Sequence, residues 1–207
     1  MVRRRGVVLA GILALAPVAH AGDGAPTAVV RRFNDTLLSI MKDGQSLGYA
    51  GRFKRLQPVM QETFDIPLMA EKVLGSQWKG LSEADQARWR ELFAEFTVAN
   101  YAANFDAFTG QQFEVLGEEA SANDTVLVKS VVKSPGHEDV ELTYRLHQAG
   151  GGWRIMDVFL KGTVSELALR RSDYSSVLER DGFGGLATVL QSRIADLAAG
   201  RAKREQP

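Results

Sequence analysis

The segment WRIMDVFLKGTVSELALRRSDY, residues 153–174, allows few architectures. Its first half, residues 153–161, is rich in aromatic and branched residues and reads as a β-strand. Trp153, Ile155 and Phe159 alternate onto one face, and Met156, Val158 and Leu160 onto the other. A strand apolar on both faces must be covered on both, whereas a surface strand is apolar on one only. The segment is therefore expected inside a sheet rather than at its edge. Gly162 breaks the strand, and Ser165-Glu166 has the chemistry of a helix start. The helix that follows carries Arg170, Arg171 and Asp173 beside Leu167, Leu169, Tyr174 and Val177. At this corner a water-excluding interior meets a polar surface, and the remaining chain is expected to enclose it.

The enclosure begins with helices. Val30, Phe33, Leu37, Ile40 and Met41 fall at helical spacing over residues 27–42, with Thr27 as the expected cap and Asp43-Gly44-Gln45 as the stop. A second helix is expected over 52–63, where Pro58 marks a kink or a late start. Phe64-Asp65-Ile66-Pro67 breaks it, and a third helix runs from Pro67 to a stop at Gly75. Ser82-Glu83-Ala84-Asp85 approximates a capping box for the longest helix. Along it Trp89, Leu92, Phe93, Phe96, Ala99 and Ala103 form one apolar stripe, and Tyr101, Phe105 and Phe108 continue the aromatic content.

The period then drops from 3.6 to 2. Strands are expected at 111–117, 123–133, 140–147 and 153–161, joined by Ser134-Pro135-Gly136 and by Gly150-Gly151-Gly152. Short connections make this a four-stranded antiparallel meander. Helices return over 165–179 and 183–199. Helices, then strands, then helices is the α+β pattern: one sheet covered by N- and C-terminal helices around an apolar interior.

Residues 1–21 read as an export signal, with Arg3, Arg4 and Arg5 before a short apolar run and Ala19-His20-Ala21 as the cleavage site. The run falls short of the roughly 20 residues of a membrane span. Cleavage after Ala21 removes three basic and no acidic residues from 25 of each, leaving 22 against 25 and a net charge of −3. The expected product is a periplasmic monomer with a single domain over 22–200 and a flexible tail over 201–207. Its mild acidity, without a basic run, argues against a nucleic-acid partner. The chain has no cysteine, so stability must come from a packed core rather than disulfides. Only His137 and His147 remain after cleavage, which supplies no ligand cluster, so no metal or cofactor is expected.

The candidates for chemistry are few. Asp157 lies mid-strand among Trp153, Ile155 and Phe159, where burial would raise its pKa and suit a general base. The alternative is a structural pairing with Arg170 or Arg171 across the corner. Ser165 stands in T-V-S-E rather than G-x-S-x-G, and the G-F-G-G of 182–185 lacks the features of a phosphate loop. A binding reading has more support, because the apolar surface far exceeds the polar anchors, as an apolar ligand requires. At about 0.8 kcal/mol per buried methylene, a C16 chain would gain on the order of 12 kcal/mol. Periodicity alone does not distinguish a lined cavity from a filled core, and a ligand-free adaptor is the third possibility.

Four segments carry a family resemblance: FDIPLMAEKVLGSQWKGLS (64–82), ELFAEFTVANYAANFDAFTGQ (91–111), YRL followed by GGWRIMDVFLKGTVSE (144–166), and DGFGGL (181–186). In this order the chain resembles the periplasmic lipid-shuttle component of the Mla system, the MlaC-like or toluene-tolerance family. The run GTVSELALRRSDYSSVL departs from the common family pattern and is similar to the branch associated with hopanoid biosynthesis. The resemblance implies a carrier without covalent chemistry, which moves a phospholipid or hopanoid between an inner-membrane ABC-type complex and an outer-membrane partner. The residues expected to line its cavity are Leu68, Met69, Val73, Phe93, Phe96, Tyr101, Phe105, Val126, Val128, Leu142, Tyr144, Met156, Val158 and Leu160. Trp78 and Trp153 are expected as structural anchors.

Overall fold

The computed structural model describes residues 25–201, so the expected export signal and most of the tail lie outside the described residues. Helix α1, Pro26–Lys42, starts one residue before the expected Thr27 cap. Its N-cap is Ala25, and Pro26 presets the first turn. The backbone N–H of Thr27, which no helical carbonyl can satisfy, instead donates to the Glu118 carboxylate at 3.1 Å. Helix α2, Gly44–Thr63, begins earlier than expected and is broken at Gly48, whose φ of 56° and ψ of −178° suit a residue without a Cβ. Pro58 neither kinks nor starts it; the proline ring is exposed, on the solvent side of the helix.

Asp65 caps α3, Ile66–Leu74, by accepting from the Leu68 N–H at 3.1 Å. A 3₁₀ turn, Gly75–Gly80, leads to α4, Glu83–Asn104, whose N-cap Ser82 accepts from the Asp85 N–H as the sequence predicts. Helix α4 is central and packs against α2, α3 and α5. The Trp89 indole on it is fully buried and donates to the Ala70 carbonyl at 2.8 Å. Buried Arg52 of α2 ties the end of α4 to the start of its own helix, donating to the carbonyls of Ala102 and Gly44 at 2.8 Å each.

The sheet contains β1 (Gln112–Ser121), β2 (Thr125–Lys133), β3 (Val140–Ala149), β4 (Gly152–Leu160) and β5 (Val164–Ser165), antiparallel and in sequence order. It thus has five strands rather than four, the fifth being two residues long, too short to carry a periodic signal. Strand β4 is inside the sheet only where β5 pairs with Phe159 and Leu160. Elsewhere its outer edge is met at one point, by the bridge from Phe64 to Ile155, where the Asp65 N–H donates to the Ile155 carbonyl at 2.8 Å.

A bulge in β4 changes the expected faces. Arg145 pairs with Asp157, but the next residue of β3, Leu146, pairs with Ile155, so Met156 is the extra residue. Ile155 and Val158 consequently share the inner face with Leu146 and Tyr144, and Asp157 turns to the other side with Arg145 and Phe159. Helix α5, Glu166–Ala198, leaves this corner and is broken once, at Gly182 (φ 67°, ψ −174°), close to the expected boundary between two helices. It runs antiparallel to α4, with Tyr174 against Trp89 and Arg170 over Phe96.

Asp157 does tie the corner, but neither Arg170 nor Arg171 is its partner. Its carboxylate accepts from Ser165 Oγ at 2.7 Å and from the backbone N–H groups of Val158 at 2.9 Å and Leu167 at 3.3 Å. Only 6% of Asp157 is exposed. Burial raises its pKa from the ordinary 3.8, more than those hydrogen bonds and the charge of Arg145 lower it. With the folded pKa above the unfolded one, the native state holds the proton longer, so this group's contribution to stability falls as pH rises from about 4 through the raised value. Asp157→Asn should therefore gain stability relative to wild type between pH 4 and pH 7 in urea unfolding; a constant difference would contradict the raised pKa. Asp157→Ala, which orphans the Leu167 N–H, should cost about 1–3 kcal/mol.

Candidate functional site

The central helix α4 presents two unlike stripes. One, containing Leu92, Ala99 and Ala102, is apolar and buried. The other holds Phe93, Thr97, Asn100, Tyr101, Asn104 and Phe105, which recur at helical spacing along one side of a cavity. The opposite wall is the inner face of the sheet: Leu142 and Tyr144 of β3 beside their register partners Leu160 and Val158 of β4. Leu37, Phe64 and Met69 close the inner end. The first two turns of α5 complete the enclosure with Glu166, Leu167, Leu169, Arg170 and Asp173. The cavity measures about 390 Å³, within the roughly 300–1,000 Å³ of small-molecule sites.

Ring packing and one buried polar chain hold the aromatic part in place. Tyr101 stacks on Phe105 at 5.7 Å between centroids and meets Phe33 edge-on at 5.3 Å. Tyr144 Oη donates to Asn34 Oδ1 at 3.2 Å, and Asn34 Nδ2 donates to Ser130 Oγ at 3.2 Å, which joins α1, β2 and β3. Burial pushes the pKa of both phenols upward, aided by the charge of Glu166 at Tyr101 and by Tyr101 itself at Tyr144. Both therefore remain neutral, with a hydroxyl proton to donate.

The mouth is polar. Arg170 is 16% exposed at its side chain, lies 5.0 Å from the centre of the Phe96 ring, and is 3.5 Å from the Glu166 carboxylate. Burial alone would lower its pKa, but Tyr174 and Glu166 more than offset this and the guanidinium keeps its charge. Leu169 beside it is 49% exposed, so the lip of the cavity includes an apolar side chain in water. Among the described residues no cluster of three or more His, Asp or Glu could hold a metal.

Eight of the fourteen expected lining residues border this cavity: Met69, Phe93, Tyr101, Phe105, Leu142, Tyr144, Val158 and Leu160. The other six lie elsewhere. Val73 and Val128 are fully buried core, and Val126 packs half-buried against that core. Phe96 is buried beneath Arg170, Met156 is the bulge residue, and Leu68 is half-buried at the start of α3. Asp157 does not border the cavity, since its neighbour Val158 faces inward. Trp89 rather than Trp78 is the buried anchor of the helical layer; Trp78 is half-buried beneath Arg90 at 4.7 Å. The polar wall escaped sequence reasoning, although Thr97, Asn100 and Asn104 recur on the Phe93 face of one helix.

Known proteins agree with this architecture. A solved phospholipid-binding protein from Ralstonia solanacearum, in complex with a phospholipid, superposes with a TM-score of 0.72 over 83% of this chain and 97% of its own, at 24% identity. No curated protein matches. The family profile described as MlaC protein matches residues 31–192, and with that span covered the chain belongs to the MlaC family.

Proposed function

We propose that this protein is a periplasmic lipid carrier, which holds the apolar part of a phospholipid or hopanoid and shuttles it between an inner-membrane ABC-type complex and an outer-membrane partner. The observation that carries the reading is the cavity between the sheet and the α4–α5 pair, apolar within and polar at its mouth. Its inner wall offers side chains without reacting groups, and the two tyrosines there are held neutral by burial. The related Ralstonia protein, of the same fold, is described as binding a phospholipid. The export signal expected over residues 1–21 and the family membership support the periplasmic placement. A catalytic reading through Asp157 has no geometric support, since that carboxylate is tied to Ser165 on the sheet face away from the cavity.

Native mass spectrometry of the protein purified from bacterial cells should show a co-purified lipid, and its mass separates a phospholipid from a hopanoid. An empty protein after incubation with membranes would refute the carrier reading. Leu160→Trp should test the cavity itself. Leu160 is half-buried and borders the void, so the larger ring occupies space that is already present. Lipid retention should fall at least about tenfold while the melting temperature shifts by a few degrees, the scale of about 1 kcal/mol. Unchanged retention would mean the ligand lies elsewhere.

A further inference from the structure

The cavity mouth has a charge pattern that the apolar wall does not require. Glu166, Arg170 and Asp173 all border the cavity on α5, four and three residues apart. They therefore stack along one face of the helix, with roughly 5–6 Å between neighbouring Cβ atoms. One cation lies between two anions, and two carboxylates with one guanidinium leave a net charge of −1.

The cation is fixed in place by the Phe96 ring, the Tyr174 hydroxyl and Glu166. The pair with Glu166 is long, at 3.5 Å. A planar guanidinium can take a phosphate through two parallel N–H bonds. Asp173 is exposed and makes no ion pair among the described residues. Across the seam, Asn104 Nδ2 donates to Asn100 Oδ1 at 3.1 Å, but Asn104 Oδ1 is buried without a hydrogen-bond partner among the described residues. An orphaned buried acceptor on a cavity wall is satisfied by an N–H or O–H donor of a ligand.

The seam thus offers one fork for an anion, with acceptors for a cationic donor about one helical turn to either side. A head group with a net negative charge would add to an excess already present. One with a phosphate and an ammonium joined by an O–C–C link is neutral overall, and its two charges are separated on the scale of one helical turn, about 5.4 Å. We propose that the α4–α5 seam is a head-group site that selects zwitterionic phosphoethanolamine lipids over anionic phosphoglycerol lipids, with Arg170 taking the phosphate and the Asp173 carboxylate, one turn along the helix, taking the ammonium, while Glu166 and Asn104 lie on the far side of Arg170. This rests on the carrier reading above.

The test loads the delipidated mature chain from vesicles holding equal amounts of phosphatidylethanolamine and phosphatidylglycerol with identical acyl chains, read by native mass spectrometry. Wild type should carry the ethanolamine lipid in at least about fivefold excess, since like charges in a partly buried mouth are weakly screened. Asp173→Lys, at an exposed position, should reverse the ratio. Arg170→Gln should lower loading of both lipids and Arg170→Lys should restore part of it, a rescue that a purely packing role would not give. Loading without preference, or a preference unmoved by Asp173→Lys, overturns the head-group site alone. Failure of wild type to load either lipid overturns this head-group site, whereas the carrier reading falls only if no lipid of any class co-purifies with the protein.

Discussion

The direction in which α5 leaves the sheet decides whether there is a cavity, and a single buried carboxylate sets that direction. Asp157 sits on the face of β4 turned away from the interior and draws Ser165 Oγ and the Leu167 N–H to itself. Ser165 is also the N-cap of α5, accepting from the Ala168 N–H at 3.0 Å. One carboxylate therefore fixes both the two-residue strand β5 and the first turn of the helix. A charge so far removed from water is stable only while its donors stay in place. This makes the corner rigid, and the angle at which α5 crosses α4 follows from it.

Between the fixed corner and the sheet, α4 and α5 cannot close completely. Closer to the start of α4 they are packed by large rings, Trp89 against Tyr174 with 5.5 Å between centroids. Farther along, the facing side chains become Thr97, Asn100 and Asn104 on one helix and Glu166, Arg170 and Asp173 on the other. Collapse there would strip water from two carboxylates and a guanidinium, which costs more than the apolar contact would return. On the other side, the sheet is held against α1 by the Tyr144–Asn34–Ser130 chain and cannot move in to fill the space. The void is thus a consequence of polar groups placed where a filled core would need apolar ones.

The order of elements was legible because it depends on local chemistry. The Ser82 and Ser165 caps, the Gly75 stop and the period-2 alternation of 140–147 all stand in the structure. The cavity was legible only in half. Alternation assigns a face but not what covers it: Val128 and Leu142 share the inner face, yet Val128 is sealed into the core whereas Leu142 meets the void. The bulge at Met156 left no mark in the sequence, because residues on either side of it are apolar whichever face they take. It explains the two-sided strand: Ile155 and Val158 look opposed by parity, and the extra residue puts them on one face. Arg170 and Asp173 looked like an ordinary solvated group, since nothing local reveals that their helix borders a hollow.

The same arrangement divides the work of a binding site between two kinds of surface. The sheet wall and the rings of Tyr101 and Phe105 hold by area, a force without direction that grows with every methylene buried. Such a wall grips chains of many shapes and cannot distinguish one polar group from another. The mouth adds the direction, because Arg170 is already clamped by the Phe96 ring, the Tyr174 hydroxyl and Glu166 before anything arrives. A group fixed in advance loses little freedom on binding, so more of its interaction energy is available for discrimination. Leu169, exposed on the lip one residue away, joins the two surfaces, and apolar material entering the cavity stays in contact with carbon from the lip to the inner wall.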